Sequence, residues 1–167
     1  EDGQNGYVWA CVTEGREAIR YFEYNRSRGH RVPQHILGLT FRGWVVSDFY
    51  SAYNRLRGQH QRCWVHMLRD LHTLKEEHTE RADVLEWATA VREVYEEAHA
   101  WVREQAQPTS EERRAAYARF YERICALGQQ YAQTDDHPCR VLARRLLRHQ
   151  EELFQFECVP DLPADTN

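Results

Sequence analysis

The sequence predicts a mixed α/β core followed by an all-helical segment. Residues 6–27 read as two β-rich runs joined by a turn, and "GWVVSD" at 43–48 is a compact β-branched strand set between two short helical stretches. From about residue 82 the texture changes, and apolar residues recur at three- and four-residue steps. The boundaries expected from these shifts are an α/β core over 1–80, a helical region over 81–156 and a closing loop over 157–167.

Along the chain, "GYVWACVT" is apolar on both alternating faces, with Val8, Ala10 and Val12 opposite Tyr7, Trp9 and Cys11, which predicts a central strand. "EGRE" supplies a turn and "AIRYFEYNRS" returns, giving an antiparallel hairpin. "DGQNG" at 2–6 has the composition of another hairpin turn and implies a partner strand before it. "VPQHILGL" has Pro33 near a helix start and Gly38 near its stop. "SAYNRLRG" reads as a short helix, "HQRCWVH" as a further strand or extended entry, and "MLRDLHTLKEEH" as a helix. The order β-β-α-β-α-β-α indicates one mixed sheet.

The helical region divides at "QAQPTSEE". Val84, Trp87, Ala88, Val91, Val94, Tyr95, Ala98, Trp101 and Val102 mark an amphipathic helix over 82–105. Thr109 with Glu112 fits a capping box that opens a second helix through about 132. Asp136, with Pro138 just inside, predicts the start of a third helix running to about 155. "VPDLPADTN" is a proline-punctuated loop.

Composition narrows the function classes. With 167 residues, 42% hydrophobic and 12% aromatic, the chain can bury one sizeable core. It has no apolar run of membrane-spanning length and no signal pattern, so a cytoplasmic protein without membrane contact is expected. Five cysteines, odd in number and widely spaced, fit reduced thiols better than a disulfide scaffold. A net charge of −4 excludes a generally basic surface, so any nucleic-acid contact must be local.

The strand that ends in Asp48 carries the most chemical information. Ligands of open α/β sheets bind beyond the carboxyl ends of strands, where a rigidly placed carboxylate suits Mg²⁺ or Mn²⁺. A strand-end aspartate also serves as a helix N-cap, and "SDFYSAYN" admits that reading. Cys63 and His66 form a C-x-x-H pair without a second pair at zinc-site spacing. His66 therefore reads either as a phosphate or proton-transfer group or as a core histidine at the strand-to-helix join. Arg69 pairs locally with Asp70 or reaches a DNA phosphate. Arg140, Arg144, Arg145 and Arg148 form a basic stripe at helical spacing, suited to backbone phosphates or simply to solvent.

Taken together, "GYVWACVT", "SRGHRVPQHILGLTFRGWVVSDFYSAYN", "HQRCWVHMLRDL" and "LFQFECVPDLPADTN" resemble the catalytic domain of bacterial DDE transposases of the insertion-sequence-66 family, over nearly the whole chain. The resemblance implies an RNase H-like mixed sheet, incomplete at its N-terminal strand, with an all-helical insertion. It also implies DNA cleavage and strand transfer at transposon ends with Mg²⁺ or Mn²⁺, transposon-end and target DNA as partners, a homo-oligomeric full-length protein and a nucleoid-associated location. Asp48 matches the family's second catalytic acid and a metal ligand, and Cys63, His66, Arg69 and Asp70 match its C-x-x-H-x-x-R-D signature. The first and third acids have no match here, which implies a catalytic-domain fragment inactive by itself. Another RNase H-like nuclease or resolvase, or a non-catalytic scaffold of the same fold, remains the alternative.

Overall fold

A computed structural model describes residues 5–13, 15 and 17–166. The chain divides into two compact units, one of residues 1–43 and 50–59 and the other of residues 44–49 and 60–167.

In the first unit, β1 (Tyr7–Val12) and β2 (Arg20–Asn25) pair antiparallel, in register from Tyr7 opposite Asn25 to Val12 opposite Arg20. The hairpin is closed by the amide of Thr13 donating to the carbonyl of Ile19 at 2.9 Å, while the Ile19 amide donates to Thr13 Oγ1 at 2.9 Å. Only one face is covered. Trp9 is buried and its Nε1 donates to Ser27 O at 3.3 Å, whereas Val8, Val12, Phe22 and Tyr24 are exposed. The expected central strand is therefore half of a two-stranded ribbon among the described residues, because apolar alternation shows which faces favour burial but not what covers them. Residues 2–4 of the expected "DGQNG" turn, and Glu14 and Arg16 of the "EGRE" turn, lie outside the described residues.

Helix α1 (Arg31–Leu37) holds Pro33 in its first turn, where the missing N–H costs nothing, and ends at Gly38, whose φ of 82° suits a residue without Cβ. A 3-10 turn over Ser51–Arg55 follows later in the same unit, with Tyr50 at its N-cap. Trp9, Val32 and Ala52 form the buried centre, joined by Tyr7, Ile36, Tyr50 and Tyr53. The Arg28 guanidinium sits over the rings of both Tyr7 and Tyr50, at 5.1 and 4.8 Å, and adds cation–π attraction to this small core.

β3 (Trp44–Ser47) and β4 (Gln59–Arg62) make the second pair. The amides of Gln59 and Cys63 donate to the carbonyls of Gly43 and Ser47 at 3.0 and 2.8 Å, an equal offset that marks a parallel register. The α/β class therefore holds, but the four strands among the described residues pair as two two-stranded ribbons where the element order suggested one mixed sheet. Element order constrains chain path, not lateral pairing.

Most of the second unit is helical: α2 (Trp64–Glu77), α3 (Ala82–Glu104), α4 (Ser110–Tyr131), α5 (Arg140–His149) and α6 (Gln155–Cys158). The apolar stripe expected on α3 is buried from Val84 to Ala98, while its last two members, Trp101 and Val102, are half-buried against the same core. Thr109 and Glu112 form the expected capping box at the start of α4, reciprocally satisfying two backbone donors. Trp64 lies at the centre, fully buried, stacked on Tyr95 at 4.9 Å and close to Phe154 at 5.2 Å.

The third helix of this region is shorter than expected. Asp136 has φ 58° and Pro138 disfavours helical geometry at His137, so α5 begins only at Arg140, with Cys139 at its N-cap. After α5 the chain tightens into a 3-10 turn at Gln150–Glu152 before α6. The closing loop is docked rather than free. Ala164 is buried, its carbonyl accepts the Trp64 amide at 3.0 Å, and Thr166 Oγ1 lies 3.4 Å from Cys63 Sγ.

Candidate catalytic and nucleic-acid-binding site

Asp48 follows β3 directly and is half-buried, as the strand-end reading requires. The short 3-10 turn after it, Ser51–Arg55, has Tyr50 at its N-cap position. The main chain of Asp48 is held by Arg62, the last residue of β4, whose side chain is 1% exposed. Arg62 Nη1 donates to Asp48 O at 2.9 Å and to Ser47 Oγ at 3.2 Å, while Nε donates to Glu152 Oε2 at 2.5 Å. A guanidinium offers these donors in a fixed plane, so one buried side chain fixes both the strand tip and the 3-10 turn after α5.

The same Glu152 oxygen accepts a hydrogen bond from His149 Nδ1 at 2.9 Å. Burial pushes the Glu152 carboxyl up, but the His149 and Arg62 hydrogen bonds outweigh it and hold the carboxyl down at about 2. The neighbouring Gln61 is fully buried and spans β4 to the same region. Its Nε2 donates to Leu153 O at 3.0 Å and its Oε1 accepts from the Phe156 amide at 3.1 Å. Trp64 Nε1 also donates to Leu153 O, at 2.6 Å.

The signature residues fall at the start of α2. Cys63 is the N-cap residue and fully buried. His66 lies in the first turn of α2, just past the join with β4, which ends at Arg62. Its Nδ1 is buried and has no hydrogen-bond partner among the described residues. Arg69 is exposed. The local pair expected between Arg69 and Asp70 is replaced by a longer-range one, in which Asp70 takes Arg145 of α5. Adjacent residues on a helix point about 100° apart, so Asp70 faces α5 while Arg69 faces solvent.

The arginine stripe occupies α5, but its members differ. Arg140 Nη2 lies 2.7 Å from Asp135 Oδ1. Arg145, besides its ion pair with Asp70, places its guanidinium 5.0 Å from the centroid of Phe49, the residue after Asp48. Arg144 and Arg148 are exposed and line a shallow groove together with Phe49, Val141, Arg145 and His149. Asp48, Arg62, Glu152, His149, Phe49, Arg145 and Asp70 thus form a connected set that joins the strand tip to α5 and α2.

The sequence profile of the Transposase IS66 family matches residues 1–167, the full length of the chain. The chain belongs to that family. No curated protein matches it, and neither does any solved structure. Membership ties this transposase-family chain to DNA transposition, a process that such enzymes carry out on DNA with divalent metal ions in general.

The transposase-family chain does not present a complete metal centre among its described residues, where no group of three or more His, Cys, Asp and Glu side chains is placed to hold an ion. Two acids of the connected set are engaged elsewhere, Glu152 by Arg62 and His149 and Asp70 by Arg145. Asp48 offers one carboxylate, and a hard divalent cation takes several oxygen ligands. Among the described residues no helix is long and apolar enough to cross a membrane. Arg62, Gln61, His149 and Glu152 were not singled out by sequence reasoning. The bonds from Arg62 to Glu152 and from Gln61 to Leu153 cross about ninety residues of chain, a separation no spacing rule reaches, and the three-residue step from His149 to Glu152 is of a kind common on helix surfaces.

Proposed function

We propose that this chain is the part of an IS66-family transposase that carries the second of three catalytic acids, in an RNase H-like arrangement, and that the whole enzyme cleaves DNA at transposon ends and transfers the strand to a target. Asp48 is the acid. His66, in the first turn of α2, is a catalytic-site residue that contacts a phosphate or moves a proton, and the helical region over 81–156 is an insertion that lends the basic face of α5 to the DNA. Arg69, exposed on α2, adds a further backbone contact. Mg²⁺ or Mn²⁺ would supply charge neutralisation at the scissile phosphate, and Asp48 is the described residue suited to contribute a ligand. The described residues do not hold such an ion by themselves, so cleavage requires acids beyond them.

The observation that supports this reading best is the position of Asp48 directly after β3 in a chain of this family, with its carbonyl fixed by Arg62. Thr166 rests against Cys63, whose amide is bonded to Ser47, so the closing loop runs beside the same strand tip. In the transposase that contains this chain, Asp48→Asn is expected to abolish strand transfer while leaving DNA binding largely intact. Retained transfer would remove Asp48 from the catalytic set. This polypeptide alone, incubated with Mn²⁺ and transposon-end DNA, is expected to give no cleavage.

A further inference from the structure

Helix α5 carries four arginines, and their partners divide them into two pairs. Arg140 is engaged with Asp135, and Arg145 is engaged with Asp70 and with the ring of Phe49. Arg144 and Arg148 stand one helical turn apart, are exposed, and make no ion pair among the described residues. Both also line each of two shallow grooves beside the helix, of about 530 and 390 Å³. The other lining residues are Ala132, Gln133 and Leu147 on one side, and Phe49, Val141, Arg145 and His149 on the other.

The charge of these grooves is positive. Glu152 is bound by Arg62 and His149, Asp70 and Asp135 each balance a strut arginine, and no acid among the described residues lines either groove. Two cations one helical turn apart, in shallow surfaces free of acids, suit successive phosphates of a polyanion. The grooves do not suit a stacked base. Of the two rings among the described lining residues, Phe49 has the Arg145 guanidinium over it, and His149 sits edge-on to it at 5.5 Å. Single-strand binding gains much of its affinity from open aromatic faces, and this surface presents none.

We propose that Arg144 and Arg148 form a sequence-independent clamp for the backbone phosphates of double-stranded DNA, while Arg140 and Arg145 are struts that fix the pose of α5 and do not contact DNA. The assignment rests on the reading of the chain as part of a DNA-processing enzyme. It adds the form of DNA bound and the division of labour within the stripe. Because Arg145 and His149 also touch Phe49, the clamp stands at a fixed distance from the strand tip that carries Asp48.

The test is fluorescence anisotropy of this chain with a labelled duplex of scrambled sequence, over a series of NaCl concentrations, with thermal melts of each variant to confirm folding. Arg144→Gln and Arg148→Gln are each expected to lower the slope of log affinity against log salt by about one, the value for one lost phosphate contact. The charge-balanced double variants Asp135→Asn/Arg140→Gln and Asp70→Asn/Arg145→Gln are expected to keep the wild-type slope. Unchanged slopes in Arg144→Gln and Arg148→Gln, with wild-type binding still salt-dependent, would overturn the clamp but leave DNA binding elsewhere on the chain. Tighter binding to a single strand than to duplex, lost in Phe49→Leu, would overturn the duplex assignment. No salt-dependent binding by the wild type would overturn the clamp and the DNA-contact reading together.

Discussion

Arg62 Nη1 donates to the carbonyl of Asp48 at 2.9 Å, so the main chain that carries the proposed catalytic acid is held by a buried cation from the neighbouring strand. Removing that cation leaves the Asp48 carbonyl and the Glu152 carboxylate without their shared partner. Truncating one member of a buried pair costs about 3–5 kcal/mol, and the partial exposure of Glu152 reduces this. Arg62→Met is expected to lower unfolding free energy by about 2–3 kcal/mol, measured by urea denaturation. Arg62→Lys, which keeps the charge but loses the planar fork, is expected to recover only part of it.

Glu152 should make the fold sensitive to acid. Its carboxyl is held at about 2 in the folded chain against an unfolded value near 4.5, so its contribution is present above the unfolded value and fades as pH falls toward the folded one. The stability advantage of the wild type over Glu152→Gln should shrink between pH 5 and pH 2.5, read from paired urea melts. A constant advantage across that window would mean that the ion pair is not what Glu152 contributes.

Glu157 has the opposite sign. It is fully buried on α6, neither carboxylate oxygen is hydrogen-bonded to a described residue, and burial pushes it up to about 8, against the pull of Arg119. Its folded value lies above the unfolded one, so folding is least penalised below about pH 4.5 and increasingly penalised as pH rises toward 8. Glu157→Gln removes the titration. The variant should gain about 2–4 kcal/mol on the wild type between pH 5 and pH 8, and an equal difference at both values would show that the carboxyl is solvated.

Gly128 sets how closely α4 and α5 approach. A Cβ there would lie 2.8 Å from Leu147 Cγ and Cδ2 and 3.2 Å from the Ala143 carbonyl oxygen. Alanine improves helix propensity by about 1 kcal/mol, but overpacking a close helix contact costs about 1–3 kcal/mol. Gly128→Ala is expected to be net destabilising by about 1 kcal/mol, seen as a lower melting temperature. A rise would show that Leu147 yields without cost.

The sequence by itself determined those features that depend on neighbours along the chain. The hairpin of β1 and β2, the Pro33 helix that stops at Gly38, the buried stripe of α3 and the Thr109–Glu112 capping box all follow from spacings of a few residues, where local sterics and hydrogen bonding decide the outcome. The end of a strand at Asp48 and the basic stripe on α5 were legible for the same reason. The late start of α5 was not, because the left-handed backbone at Asp136 outranks its capping preference. Only the tertiary structure decided that Arg62 meets Glu152, that Asp70 prefers Arg145 to the adjacent Arg69, and that the four arginines of α5 split into bound and outward-facing pairs. Those choices are made by side chains brought together when the apolar faces of the helices are buried, and separation along the chain carries no information about them.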